Sequence, residues 1–163
     1  MGGRSGRYAR IAPVLTCLTS PDRPVIPLRL SVKNFMSYRD NVPPLELEGL
    51  HVVCLSGDNG HGKSALLDAM TWALWGRARV RQARTGAISG PTQDELVHQG
   101  ERDMAVELDF AARGQVYRVI RKHSLPARGR QGTTILDLFL LSGAGPVAVS
   151  GSSVRETEAK IRD

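Results

Sequence analysis

The sequence predicts an α/β domain in which a glycine-rich loop joins a buried strand to an amphipathic helix, with antiparallel strands beside them. Three observations lead there. The apolar run Leu50-His51-Val52-Val53-Cys54-Leu55-Ser56 ends directly in Gly57-Asp58-Asn59-Gly60-His61-Gly62-Lys63-Ser64. Apolar residues then recur at helical spacing up to Trp75, where Gly76 stops the pattern. Between 104 and 141, three stretches alternate or run apolar between glycine-containing breaks. The chain has 163 residues, 41% of them hydrophobic and 23% charged, which suits one domain with a real core and excludes disorder throughout.

Residues 1–24 are rich in Gly, Arg, Pro and Ser without a sustained period, and read as a flexible basic tail. Arg4, Arg7, Arg10 and Arg23 face only Asp22 in charge, and they contribute to a formal net charge of +6 that favours polyanionic partners. The run Ile11 to Leu18 is too short for a secretory core and is broken by Pro13. No stretch approaches the roughly 20 apolar residues of a membrane span. Two cysteines, Cys17 and Cys54, form neither a disulfide framework nor a metal spacing, and a reducing cytoplasm is the simplest setting. Folded sequence is expected from Val25-Ile26-Pro27, where a valine codon could also start translation, so the folded unit is 25–163.

Leu28, Leu30 and Val32 alternate with Arg29, Ser31 and Lys33 as a half-buried strand, and Leu45-Glu46-Leu47-Glu48 alternates briefly after Pro43-Pro44. The run 50–56 suits a strand buried on both faces. In the helix that follows, Leu66, Met70, Ala73 and Leu74 mark the apolar face. Residues 77–103 are a polar surface loop with a short helix near Asp94 to His98. Met104 to Phe110, Val116 to Lys122 and Thr133 to Leu141 are strands, with Arg113-Gly114 turning between the first two and Gly143-Ala144-Gly145-Pro146 a turn after the third. Ser153 can cap a final helix, with Glu156 three residues on as its capping-box partner.

The pattern G-x-x-x-x-G-K-[ST] occurs at Gly57 to Ser64, between predicted strand and predicted helix, which is the context that gives it a mechanism. Phosphates need many donors at short range. Gly57, Gly60 and Gly62 allow the left-handed backbone that turns N–H groups inward, and Asp58, Asn59 and His61 complete the loop. The helix opening at Lys63 adds unpaired amides and the positive dipole end, and Ser64 and Ala65 complete the site. Lys63 is expected to bridge the β- and γ-phosphates of ATP, and Ser64 to give its hydroxyl to Mg2+. Hydrolysis also needs an acid near the metal. Asp137, in Ile135-Leu136-Asp137-Leu138, is the candidate, but strand alternation explains it more simply, and Asp94-Glu95 has no apolar strand before it.

Val32-Lys33-Asn34-Phe35-Met36-Ser37-Tyr38, the loop 57–64, Ala65 to Gly76, Glu95-Leu96-Val97, Val106 to Phe110 and Tyr117 to Arg121 together resemble the N-terminal lobe of SbcC-type exonuclease ATPase subunits, relatives of SMC proteins with ABC-type heads. The resemblance runs from about residue 26 to the end. It implies a P-loop NTPase fold, the N-terminal lobe of an ABC-type ATPase head with antiparallel strands beside the P-loop core, on one flank of a mixed sheet and truncated before a coiled coil. It implies a second lobe carrying the Walker B acid, signature motif and switch histidine, a glutamine loop soon after the final helix, and a second head closing over ATP. It further implies an SbcD-type nuclease partner, DNA double-strand break repair, and no turnover by this segment alone. Relatives often carry a basic residue where Met36 stands; if it touches phosphate in them, that contact is lost here or Lys33 or Arg39 replaces it, and Lys33, Asn34 and Ser37 are candidates for nucleotide contact. Arg77, Arg79, Arg81, Arg84, Arg118, Arg121, Lys122, Arg128 and Arg130 are candidates for DNA backbone contact or simply a solvated basic surface. Two other readings stay open: a self-contained small P-loop NTPase or kinase using Asp137 with Mg2+, and a non-enzymatic nucleotide- or DNA-binding stub.

Overall fold

The computed structural model describes residues 24–60, 62–78, 81–82, 88–89, 91–126 and 132–162. The tail to Arg23, Cys17, His61, Arg79, Arg84, Arg128 and Arg130 lie outside the described residues, and of Arg81 only the backbone is described.

β1 (Ile26–Lys33) pairs at one side with the two-residue β2 (Leu45–Glu46). α1 (Lys63–Trp75) follows, then the small ladder β3 (Arg81–Gln82) with β4 (Ile88–Ser89) inside the stretch expected as loop. A single 3-10 turn at Asp94–Leu96 precedes three long strands, β5 (Asp103–Ala112), β6 (Gln115–Ser124) and β7 (Thr133–Ser142), then β8 (Gly145–Ala148) and α2 (Val154–Arg162). The main sheet has six strands in the order β2-β1-β5-β6-β7-β8, every neighbouring pair antiparallel. The mixed sheet implied by the resemblance is therefore not formed by the described strands.

Arg113 (φ 53°) and Gly114 (φ 76°) both take left-handed backbone, which makes the tight two-residue turn that closes the Ala112–Gln115 pair. Gly145 and Pro146, expected in a turn, begin β8 instead. An edge strand tolerates proline because one side of it needs no ladder donors.

The sheet's two faces differ in chemistry. Leu30, Val32, Val106, Leu108, Val119 and Leu138 point to one face, where Ala69, Trp72 and Ala73 of α1 cover them, and Phe35 lies 5.6 Å from Trp72 by ring centroids. The opposite face carries a charge ladder. Arg29 reaches Glu46 (3.1 Å) and Glu107 (3.0 Å), and Arg118 grips both carboxylate oxygens of Asp109 at 2.7 Å.

α2 starts on the predicted signal with a shift of one residue. The Glu156 amide donates to Ser153 Oγ (3.2 Å), but the Glu156 carboxylate reaches back past Ser153 to the hydroxyl and amide of Ser152, both at 2.7 Å. Those donors hold the Glu156 carboxyl below its ordinary value near 4.5. A carboxyl with a depressed folded-state pKa stabilises the fold above that ordinary value, and the contribution fades as pH falls through the lower one. The thermal midpoint of wild type should therefore exceed that of Glu156→Gln at about pH 6, with the gap closing by about pH 3; a gap constant across that window would refute the cap.

One predicted strand is absent. Residues 52–58 form no sheet, and Leu50, Val52, Val53 and Leu55 are exposed, Val52 at 88%. Cys54, expected inside that strand, is exposed too. A strand buried on both faces needs neighbours on each side, and no described strand pairs with this one. The face of α1 is rotated accordingly: Ala65, Asp68, Ala69, Trp72, Ala73 and Leu74 are buried, while Leu66 and Met70 are only partly covered and line an apolar groove of about 350 Å³ with Leu47, Leu50, Val53 and Leu55. Among the described residues no helix is long and apolar enough to cross a membrane.

Candidate functional site

α1 begins where its sequence has no side-chain cap. Gly62 is the N-cap, with φ 79°, and the first turn carries no acidic residue that would neutralise its positive end. Gly57 and Gly60 also take positive φ, 139° and 90°, so the loop bends at the glycines the sequence supplies. The Lys63 ammonium lies across the loop and donates to the carbonyls of Gly57 (2.6 Å) and Asp58 (2.7 Å). Its charge therefore stands at the mouth formed by the loop.

That mouth opens on a cleft of about 240 Å³, walled by the loop residues Asn59, Gly60 and Gly62, by Lys63, Ser64, Ala65 and Asp68 of α1, and by Met36 and Ser37. Backbone amides, a lysine ammonium and a serine hydroxyl suit a phosphate group with its metal ion. Asp68 was not singled out by the motif. It sits one turn after Ser64, 4% exposed, and the i, i+4 spacing is the signal that places both on one helix face.

The second wall comes from the segment 34–38. Asn34 (φ 50°) and Met36 (φ 49°) are both left-handed, a costly conformation for residues with a Cβ. Tertiary hydrogen bonds hold them there: the Met36 amide donates to Leu96 O (2.8 Å) and the His98 amide to Asn34 O (2.8 Å). Arg39 Nε can only donate, so His98 Nε2, 3.3 Å away, is the acceptor. The His98 proton is then on Nδ1, which donates to Met36 O at 2.6 Å.

Of the nucleotide-contact candidates in this region, only Ser37 borders the cleft. Lys33 extends from the sheet's outer face to Asp103 at 3.1 Å, and that hydrogen bond raises its pKa. Asn34 is buried, with its amide toward Glu101, and Arg39 is engaged by His98. The acid candidates are also elsewhere. Asp137 stands opposite Ile120, on the face carrying Glu107, while its neighbours Leu136 and Leu138 face α1. Asp94 Oδ1 accepts from the Nε2–H of buried His123 at 2.7 Å, in a separate pocket with Thr134. Among the basic candidates Arg118 is bound to Asp109, and Arg121 is buried, so neither offers a free cation to a DNA backbone. Arg77 and Lys122 are exposed.

A side chain at Gly62 would be strained. A Cβ there would stand 3.2 Å from the Tyr38 ring, on a backbone that side-chain-bearing residues rarely adopt. Gly62→Ala should lower the stability of the fold by about 1–2 kcal/mol, the cost of holding a residue with a Cβ in left-handed backbone. Chemical denaturation would check it, and unchanged stability would show that the loop is not fixed at this point.

A glycine-bent loop feeding the mouth of a helix, laid against an antiparallel sheet, defines a P-loop ATPase-head lobe. The chain belongs to the AAA domain family, which matches residues 29–156. It is similar to the SbcC component of the nuclease SbcCD from Deinococcus radiodurans, 43% identical over 139 residues, covering 84% of this chain and 14% of that protein. It is also similar to the probable DNA double-strand break repair Rad50 ATPase of Aquifex aeolicus, 35% identical over 95 residues, covering 58% of this chain and 9% of that protein. The chain thus spans a small part of the length of these relatives. Among solved structures, the recombination mediator protein RecF-ATP of the RecFOR pathway has the same fold over 74% of this chain and 29% of its own, with TM-score 0.51 and 20% identity.

Proposed function

We propose that this chain binds Mg2+–ATP on the loop Gly57 to Ser64 and supplies that phosphate cradle to a larger ATPase acting in DNA double-strand break repair. The observation that carries the reading is the convergence at one helix mouth of the Lys63 ammonium, the left-handed glycines and the Ser64 side chain around a single cleft. Lys63 would draw the β- and γ-phosphates to the helix, and the amides at the N-terminus of α1 would take their oxygens. Ser64 would hold the metal, which when bound offsets phosphate charge. His61 belongs to the proposed loop by sequence alone.

Turnover is a different matter. Asp137 faces away from the cleft, so the acid and the group that places water would come from elsewhere, by resemblance from a second lobe. The apolar groove beside Leu50, Val53 and Leu55 supports this, because so much exposed apolar surface beside the loop is a surface awaiting cover. By the same resemblance, a second ATPase head and an SbcD-type nuclease are the proposed protein partners, DNA the nucleic-acid partner, and the cytoplasm the proposed location. Residues 25–163 would be the folded unit and 1–24 a basic tail.

The test is direct. The purified 163-residue chain is titrated with Mg2+–ATP and assayed for phosphate release. Saturable binding without release supports the reading. Release that Asp137→Asn abolishes would replace it with a self-contained small NTPase, and no binding would remove it.

A further inference from the structure

We propose that Tyr38 is a positioning residue for the phosphate cradle: its hydroxyl sets the orientation of the Gly62–Lys63 peptide without touching the nucleotide. The inference rests on the nucleotide-binding reading above and adds a residue outside the loop motif.

The Tyr38 hydroxyl donates to the Gly62 carbonyl at 3.1 Å, and the Ala65 amide donates to the same oxygen at 2.8 Å. A trans peptide is planar, with its C=O and N–H pointing in opposite directions. Fixing the Gly62 carbonyl toward Tyr38 and Ala65 therefore turns the Lys63 N–H the other way. That amide is at the first position of the helix, where the helix itself offers no acceptor. Glycine leaves this peptide freer to rotate than any other residue would, and the N-cap has no side chain to restrain it. Two hydrogen bonds to one carbonyl supply the restraint that the local sequence lacks.

Tyr38 is itself held firmly. Its amide donates to Phe35 O at 2.9 Å, and Phe35 is fully buried against Trp72. The left-handed Met36 between them is tied to Leu96 and His98. The Cε2, Cζ and hydroxyl edge of the ring faces Gly62, where an added Cβ would stand 3.2 Å from each of the three atoms. Burial raises the Tyr38 phenol above its ordinary value, so it stays protonated and a donor through the neutral range. Packing alone would be served as well by phenylalanine; the hydroxyl is what a positioning role requires.

The experiment compares wild type, Tyr38→Phe and Lys63→Ala as the full 163-residue chain. Mg2+–ATP affinity is measured by titration calorimetry, and the Lys63 amide and Gly62 carbonyl resonances by NMR without nucleotide. Tyr38→Phe should bind about five- to tenfold more weakly, the loss expected for one hydrogen bond. It should also shift the Lys63 and Gly62 resonances while those of Val106 and Val119 in the sheet stay in place. Affinity equal to wild type, or unmoved Lys63 and Gly62 resonances, overturns the proposal. Failure of wild type itself to bind would sink the nucleotide-binding reading instead, and the resonances would still show whether the hydroxyl sets the peptide. Loss of the dispersed spectrum in Tyr38→Phe would overturn it too, since the residue would then be holding the fold.

Discussion

Lys63→Ala should cost about 100-fold or more in Mg2+–ATP affinity, roughly 2.7 kcal/mol, the scale of charge-assisted hydrogen bonds to a phosphate. The substitution removes the ammonium held at 2.6 and 2.7 Å from the carbonyls of Gly57 and Asp58, and with it the one side-chain cation that borders the cleft among the described residues. The fold should hardly notice. Lys63 opens α1 at a partly exposed position, and alanine is a good helix former there. Calorimetric titration gives the affinity and thermal denaturation gives the control. Affinity within about threefold of wild type would mean that the phosphates do not sit in this loop.

The largest stability loss is expected from Arg121→Ala, at about 3–5 kcal/mol. The side chain is 1% exposed and joins three elements. Nε donates to Ala73 O at 3.1 Å, Nη1 to Glu158 at 2.9 Å, and the guanidinium lies 5.7 Å from the Trp72 ring centre. Desolvation lowers the pKa of this arginine, and Glu158 opposes the shift. Its cation also completes α1: the helix has no basic residue in its last turn, so β6 supplies the positive charge that the negative dipole end favours. Gly76 shares the site. A Cβ there would stand 2.9 Å from Glu158 Oε1 and 3.0 Å from Arg121 Nη1, on a left-handed backbone (φ 68°), so a larger residue is strained at this position. In urea, with a slope of about 1–3 kcal/mol per molar, the unfolding midpoint should fall by about 1 M or more. The exposed neighbour Lys122→Ala should change stability by under about 0.5 kcal/mol. Equal effects of the two substitutions would show that the buried arginine does not hold the helices to the sheet.

How much of this could be read beforehand varies by element. β5, β6 and β7 follow their alternation closely, because one face meets α1 and the other meets water, and period two records that division residue by residue. The helix ends at Gly76 as expected because a left-handed C-cap is a local requirement, and Arg113-Gly114 turns for the same kind of reason. The run 50–56 misleads because its composition records a burial that the described residues do not provide. Apolar, β-branched residues state what a segment needs around it, not whether those neighbours are present. Leu66 and Met70 mislead likewise, since they belong to the same uncovered groove.

The sequence by itself determined the loop's length, its glycines, its lysine and serine, and the alternating strands, because each depends on residues adjacent in the chain. Only the tertiary structure decided that Met36, Ser37 and Asp68 wall the cleft, that Tyr38 bonds to Gly62, that Arg118 is tied to a carboxylate and Arg121 buried, and that Asp137 points the wrong way. Those outcomes depend on which face of a sheet or helix meets which distant segment. Local periodicity gives the alternation of faces, but only packing determines what each face meets.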